Sequence, residues 1–245
     1  MTKKGRFVVV DGIDGVGKGV FLDTFVEEAK KDSKRVFDVH DFWAKNNFHP
    51  PLSLIKGNFD VVLTSEPTFM GLGTFIREEL TAKNGRSYSP EIVAEAFALD
   101  RRILYEQLNL PLLKEGLDIY QSRSLSTSIV YQRQSALDQG KDFSVEEILS
   151  LPGNSFCHKH PFDFLVIPTI INVEEAVRRT KERNKDDNCK YENLDFQLKI
   201  KSHYDSKEFR EIFTRAGTEI VYMDASISIK ASQEQARKFY QQKLR

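Results

Sequence analysis

The chain has 245 residues, 40% hydrophobic and 29% charged, which fits one α/β domain with insertions and is ordinary for a globular protein. Its 36 basic and 36 acidic residues cancel, so no global basic field draws it to nucleic acid or to an anionic membrane. Two cysteines, Cys157 and Cys189, exclude a disulfide framework and suit a reducing compartment; the apolar run behind Lys3 and Lys4 is too short for a signal peptide, so a soluble cytoplasmic protein is expected.

In chain order, the first apolar run, Phe7–Asp11, passes directly into Gly12-Ile13-Asp14-Gly15-Val16-Gly17-Lys18-Gly19, and an amphipathic segment from Val20 to Lys30 follows. This strand–loop–helix context makes a phosphate-cradling loop physically sensible. Glycines let successive backbone N–H groups converge on an anion, the helix adds its positive end, and Lys18 can reach the outer phosphates of a nucleotide. The loop closes with Gly19, where a Ser or Thr hydroxyl normally meets Mg²⁺. Gly12 to Val20 is therefore the expected ATP-binding segment.

Further β-branched runs predict strands at Arg35–Val39, Asp60–Thr64, Leu117–Gln121, Phe164–Pro168 and Glu219–Met223. Helical spacing recurs at Pro90–Asn109, Val173–Asn184 and Gln233–Leu244, with a short helix at Ser144–Leu151. Alternating β and α elements predict a parallel sheet of five or six strands with helices on both faces. Ligands in such sheets sit beyond the strand C-termini, which directs attention to Gly12–Gly19, Ser65–Thr68 and Ser122–Thr127. The aromatic-rich segment 41–59 reads as an insertion, either packed or at a lid edge.

Four more segments carry chemistry: Ser65-Glu66-Pro67-Thr68 with Arg77 beyond it; Phe97…Asp100-Arg101, with Phe97 and Arg101 on one helix face; Arg123 through Tyr131-Gln132; and the charged stretch from Arg178 to Glu192. With the Gly-rich loop and a closing Asp224-Ala225-Ser226, these segments resemble, in order and over nearly the whole chain, the thymidylate kinase family of P-loop nucleoside-monophosphate kinases. The resemblance implies a P-loop fold in one domain with a short lid at 183–192, and ATP-dependent phosphorylation of a deoxynucleoside monophosphate, dTMP foremost. Another or modified monophosphate, or nucleotide binding without turnover, stays open as an alternative.

The resemblance also implies roles. Phe97 would stack on the pyrimidine and Arg101 would read the base edge or the acceptor phosphate. Arg123 would clamp the acceptor phosphate, with Asp14 orienting it or accepting the sugar 3′-hydroxyl. Tyr131 would crowd the 2′ side of the sugar, Thr127 and Ser128 would supply polar contacts, and Glu66 and Arg77 would join the acceptor site. Arg183 and Lys190 would close over the transferring group. A homodimer and Mg²⁺ complete the implied set. Three positions depart from the pattern: Gly19, Ser122 where an Asp usually precedes the strand-end arginine, and Ser65 where an arginine often stands. Glu66 is then the nearest carboxylate for a metal, which would be held mostly through phosphates and water. Cys157, His158 and His160 match no regular zinc spacing.

Overall fold

The computed structural model describes residues 4–182 and 189–245. Six parallel strands form one sheet: β1 (Phe7–Val10), β2 (Val36–Asp38), β3 (Val61–Ser65), β4 (Asp118–Ser122), β5 (Phe164–Thr169) and β6 (Glu219–Asp224), in the spatial order β2-β3-β4-β1-β5-β6. All six expected strands are present, each within a residue or so of its predicted ends. Successive strand side chains point to opposite faces. Val8, Val9 and Val10 are nonetheless all fully buried, so helices cover both faces at the centre of the sheet. Each such valine removed from water contributes roughly 1.5–3 kcal/mol.

The helix Lys18–Lys31 follows β1 and buries Phe21, Leu22, Phe25 and Ala29. Phe25 packs against Tyr120 of β4 and Phe239 of the helix Ile229–Phe239, at ring separations of 6.0 and 5.6 Å. On the other side the helix Pro90–Leu104, capped by Ser89, meets the helix Pro152–His158. The short helix expected from the sequence ends at Leu151, and no further helix is expected there. Gly153 explains the difference, because a Cβ on it would lie 2.0 Å from the Ala98 carbonyl oxygen. The helix forms because glycine lets it lie directly on its neighbour.

The segment 41–59 is packed against the main core. It holds the end of the short helix Val39–Trp43 and the helix Leu52–Ile55, and buries Trp43 and Ile55. The expected helix from Ser144 is also present at Val145–Ser150, with Ser144 and Glu147 forming a reciprocal capping box. No helix among the described residues is long and apolar enough to cross a membrane.

Candidate active site

The C-terminal ends of β1, β3 and β4 carry the loops on which the site is built. After β1, Gly15 (φ +73°) and Gly17 (φ +98°) take left-handed conformations that cost glycine little. At Gly15 a Cβ would also lie 1.9 Å from the Ala176 carbonyl oxygen, so the loop packs directly on the helix Val173–Glu182. No side chain caps the helix Lys18–Lys31, whose N-cap is Gly17. Its first amide groups and dipole are therefore available to an anion. The Lys18 ammonium curls into the loop, donating to the carbonyls of Gly12 (3.1 Å) and Ile13 (2.8 Å), and lies 4.0 Å from Asp14 Oδ1.

Arg123, directly after β4, is a non-glycine residue at φ +65°. Such a conformation costs of order 1–3 kcal/mol and persists only where its surroundings hold it. Here Nη2 donates to Asp14 Oδ1, the guanidinium stands 5.1 Å from the Tyr131 ring centroid, and buried Nη1 makes no hydrogen bond, lying 3.8 Å from Asp11 Oδ1. Asp14 Oδ2 also accepts from Tyr131 Oη (3.2 Å) and Gln197 Nε2 (2.9 Å). Burial by itself would raise the Asp14 pKa, but Arg123, Lys18 and these hydrogen bonds together hold it below the usual value.

A cavity of about 600 Å³ opens beside this cluster. It brings together six expected site residues: Asp14, Arg77, Phe97, Arg123, Thr127 and Tyr131. Thr127 lines it while its hydroxyl donates to Asp11, at 2.7 and 2.8 Å. The Arg77 guanidinium lies 3.7 Å over the Phe69 ring and donates to the Pro67 and Thr68 carbonyls.

Other expected residues stand behind the wall or away from it. Arg101 is 1% exposed, and its guanidinium meets Glu66 Oε2 (2.7 Å), Asn154, the Ser124 carbonyl (3.3 Å) and Ser128 Oγ (2.9 Å). Ser128 is likewise fully buried beneath the cavity. Lys190 donates to the Leu80 carbonyl at 2.9 Å, while its backbone N–H meets Thr81 O and Cys189 pairs with Ala82, fastening Cys189 and Lys190 to the turn beyond Leu80. Arg183 and the rest of 183–188 lie outside the described residues.

Glu66 is engaged within the fold: its oxygens face Arg101, Gln121 Nε2 (2.9 Å) and Ser124 Oγ (3.4 Å), so this buried carboxyl holds the Arg101 guanidinium. Burial pushes its pKa up to about 7, against the opposing pull of Arg101. Folding then takes up a proton between pH about 4.5 and 7. The associated stability is fully present below the unfolded value and is lost as pH rises through about 7. The melting temperature is expected to fall between pH 5 and pH 8, and Glu66→Gln should flatten that fall; an equally steep fall in the variant would remove Glu66 as its source.

Direct ligation of a divalent cation finds few donors here. Gly19 has no side chain and Ser122 ends β4 with a hydroxyl. Fully buried Asp11 accepts from its neighbour's N–H, Ser126, Thr127 and Tyr204. Among the described residues no three His, Cys, Asp or Glu side chains assemble as a metal site, which includes the surroundings of Cys157, His158 and His160. Such a donor set suits a hydrated cation carried largely by phosphates.

Two features escaped sequence reasoning. Ser65 Oγ lies 2.7 Å from His40 Nε2, whose Nδ1 is 2.5 Å from Asp38, so the chain Asp38–His40–Ser65 ties the ends of β2 and β3 where the resemblance leads one to expect an arginine. Gln132 lines the cavity at 1% exposure, with neither side-chain atom hydrogen-bonded. A buried amide without partners costs about 1–3 kcal/mol, so a ligand that satisfies it gains correspondingly. Its place beside Tyr131 was visible in the sequence; its lack of partners was not.

A parallel sheet with a glycine-rich phosphate loop after its central strand, a strand-end arginine and an adjoining cavity defines a kinase of the P-loop α/β class. The thymidylate kinase family model matches residues 53–236, and the chain belongs to that family. It is 31% identical over 237 residues to a probable thymidylate kinase of Pyrococcus abyssi, covering 93% of this chain and 97% of that one. A thymidylate kinase of an Exiguobacterium species is 26% identical over 231 residues, covering 94% and 92%. The fold is shared with the solved thymidylate kinase of Candida albicans, at TM-score 0.64 and 18% identity over 98% of this chain and 92% of that one.

Proposed function

We propose that this chain transfers the γ-phosphoryl group of ATP to dTMP, forming dTDP. The observation that carries the reading is the cavity joining the Arg123–Asp14 pair to Phe97 and the unsatisfied Gln132 amide. A nucleoside monophosphate offers matching parts: a phosphate for Arg123, a flat ring for Phe97, and an imide edge whose donor and acceptors complement a carboxamide.

In this reading Lys18 exchanges its contacts with the Gly12 and Ile13 carbonyls for ATP phosphate oxygens, helped by the amides of Gly15 to Gly19. Arg123 fixes the acceptor phosphate for in-line attack, and Asp14 holds the guanidinium in place. Tyr131 crowds the sugar's 2′ side, and Arg77 borders the acceptor. Arg101 supports the base pocket from beneath through Ser128 and Asn154. Arg183 and Lys190 belong to the closing lid, with Lys190 leaving the Leu80 carbonyl on closure. Mg²⁺, when bound with ATP, supplies charge neutralisation on the β- and γ-phosphates. Ile92, Leu99 and Ile103 expose an apolar stripe along the helix Pro90–Leu104, which supports a homodimer; a cytoplasmic location agrees with two cysteines that form no disulfide with each other.

The reading is tested by ADP release from MgATP across a panel of nucleoside monophosphates. Turnover favouring dTMP is expected; tight nucleotide binding with no turnover on any acceptor would overturn it. Gln132→Leu separates binding from folding. Removing the orphaned amide should raise the melting temperature, while calorimetry should show dTMP affinity falling about tenfold or more. Unchanged dTMP affinity would remove Gln132 from the base pocket.

A further inference from the structure

The two positions at which a P-loop kinase ordinarily offers side chains to its metal are Gly19 and Ser122, and neither carries a carboxylate. The carboxylates nearest the phosphate loop are already engaged: Asp11 by hydroxyls and its neighbour's N–H, Asp14 by Arg123, Tyr131 and Gln197, and Glu66 by Arg101 and Gln121. Asp23 differs. It stands one turn along the helix Lys18–Lys31 from Gly19, and helical side chains lean toward the N-terminus, over the residue four positions earlier. Its Oδ2 lies 3.9 Å from where a Cβ of residue 19 would be, so its carboxylate reaches the edge of the space that the missing hydroxyl side chain leaves.

No hydrogen bond or ion pair holds the Asp23 side chain among the described residues, and it is exposed to solvent. Burial of part of the group, then Glu27 and Asp38, push its carboxyl pKa up. Asp38 is engaged with His40 and feels Lys30; Glu27, a turn farther from Gly19, is exposed and also without an ion pair among the described residues, so it is the position beside Gly19 that singles out Asp23.

Resting on the kinase reading above, we propose that Asp23 is this chain's contact to the hydration shell of the divalent cation that accompanies ATP. Gly19 is then a necessary part of the arrangement, since it leaves room for the Asp23 carboxylate and a bridging water. A water-mediated contact of this kind needs one carboxylate rather than a ligand cage, in keeping with the absence of a three-residue metal cluster among the described residues. Asp23 is thus a positioning residue, acting through water on the cation.

Calorimetry with ADP, with and without Mg²⁺, reads this contact without any turnover. In the wild-type chain Mg²⁺ should strengthen ADP binding, and Asp23→Asn should lose about tenfold of that enhancement while binding metal-free ADP as well or better. Gly19→Ser added to Asp23→Asn should restore part of the loss, a rescue that a merely structural role of Asp23 would not produce. Full Mg²⁺ enhancement in Asp23→Asn, or none in the wild type, would overturn the proposal. Failure of the wild type to bind ADP under either condition would sink the kinase reading along with it, whereas ADP binding without metal sensitivity would sink this inference alone.

Discussion

Lys18→Ala is expected to lower turnover on the order of 10³-fold, because removing a cation that stabilises a transferring phosphoryl group forfeits charge compensation in the transition state. The side chain is well placed for the effect, at the mouth of the helix that follows the loop. Its ammonium donates to the loop carbonyls of Ile13 and Gly12 at 2.8 and 3.1 Å, and lies 4.0 Å from Asp14 Oδ1. The loss of kcat should far exceed any change in melting temperature. Undiminished kcat, measured by ADP release, would sink the assignment of the loop as the ATP phosphate site.

Arg123→Ala is expected to have a comparable effect on turnover and a further one on folding. Weakened dTMP binding with nearly intact ATP binding is the functional signature, since the guanidinium faces the acceptor cavity. Stability should also fall, by about 3–5 kcal/mol if the removal of one partner from a buried charge cluster behaves as usual. Asp14 loses its principal cation, and burial is then opposed only by Lys18 and hydrogen bonds. In the wild type the lowered Asp14 pKa gives stability that is present above the ordinary carboxylate range and lost as pH falls through the folded value. In the variant that loss begins at higher pH, so acid unfolding should move upward. Arg123→Lys keeps the charge without the planar fork and should recover more stability than activity. Equal recovery of both would argue that Arg123 is structural, and weakened ATP binding with normal dTMP binding would reverse the division of the two sites.

The strands were readable because a parallel strand buried on both faces must be almost wholly apolar, as Phe7–Val10 is. The phosphate loop was readable for a related reason, since left-handed turns at Gly15 and Gly17 demand glycine locally. The helix Pro152–His158 was not, because its Pro-Gly start reads as a turn, and only the close approach to Ala98 reveals what Gly153 is for. Lys190 and Arg101 show the same limit in the site. A sequence gives their charge, but their hydrogen bonds to Leu80 and Glu66 depend on elements far along the chain.

By itself, then, the sequence determined the strand set, the phosphate loop and the family resemblance, because these rest on short-range requirements of burial, backbone freedom and spacing. Only the tertiary structure decided which polar groups face the cavity. It gathered Asp14, Arg123, Phe97 and Tyr131 there, closed Glu66 upon Arg101, and left Gln132 unsatisfied and Asp23 without a cation. Whether a buried polar group is spent within the fold or kept for a ligand depends on partners brought from distant strands and helices, and no local pattern encodes that choice.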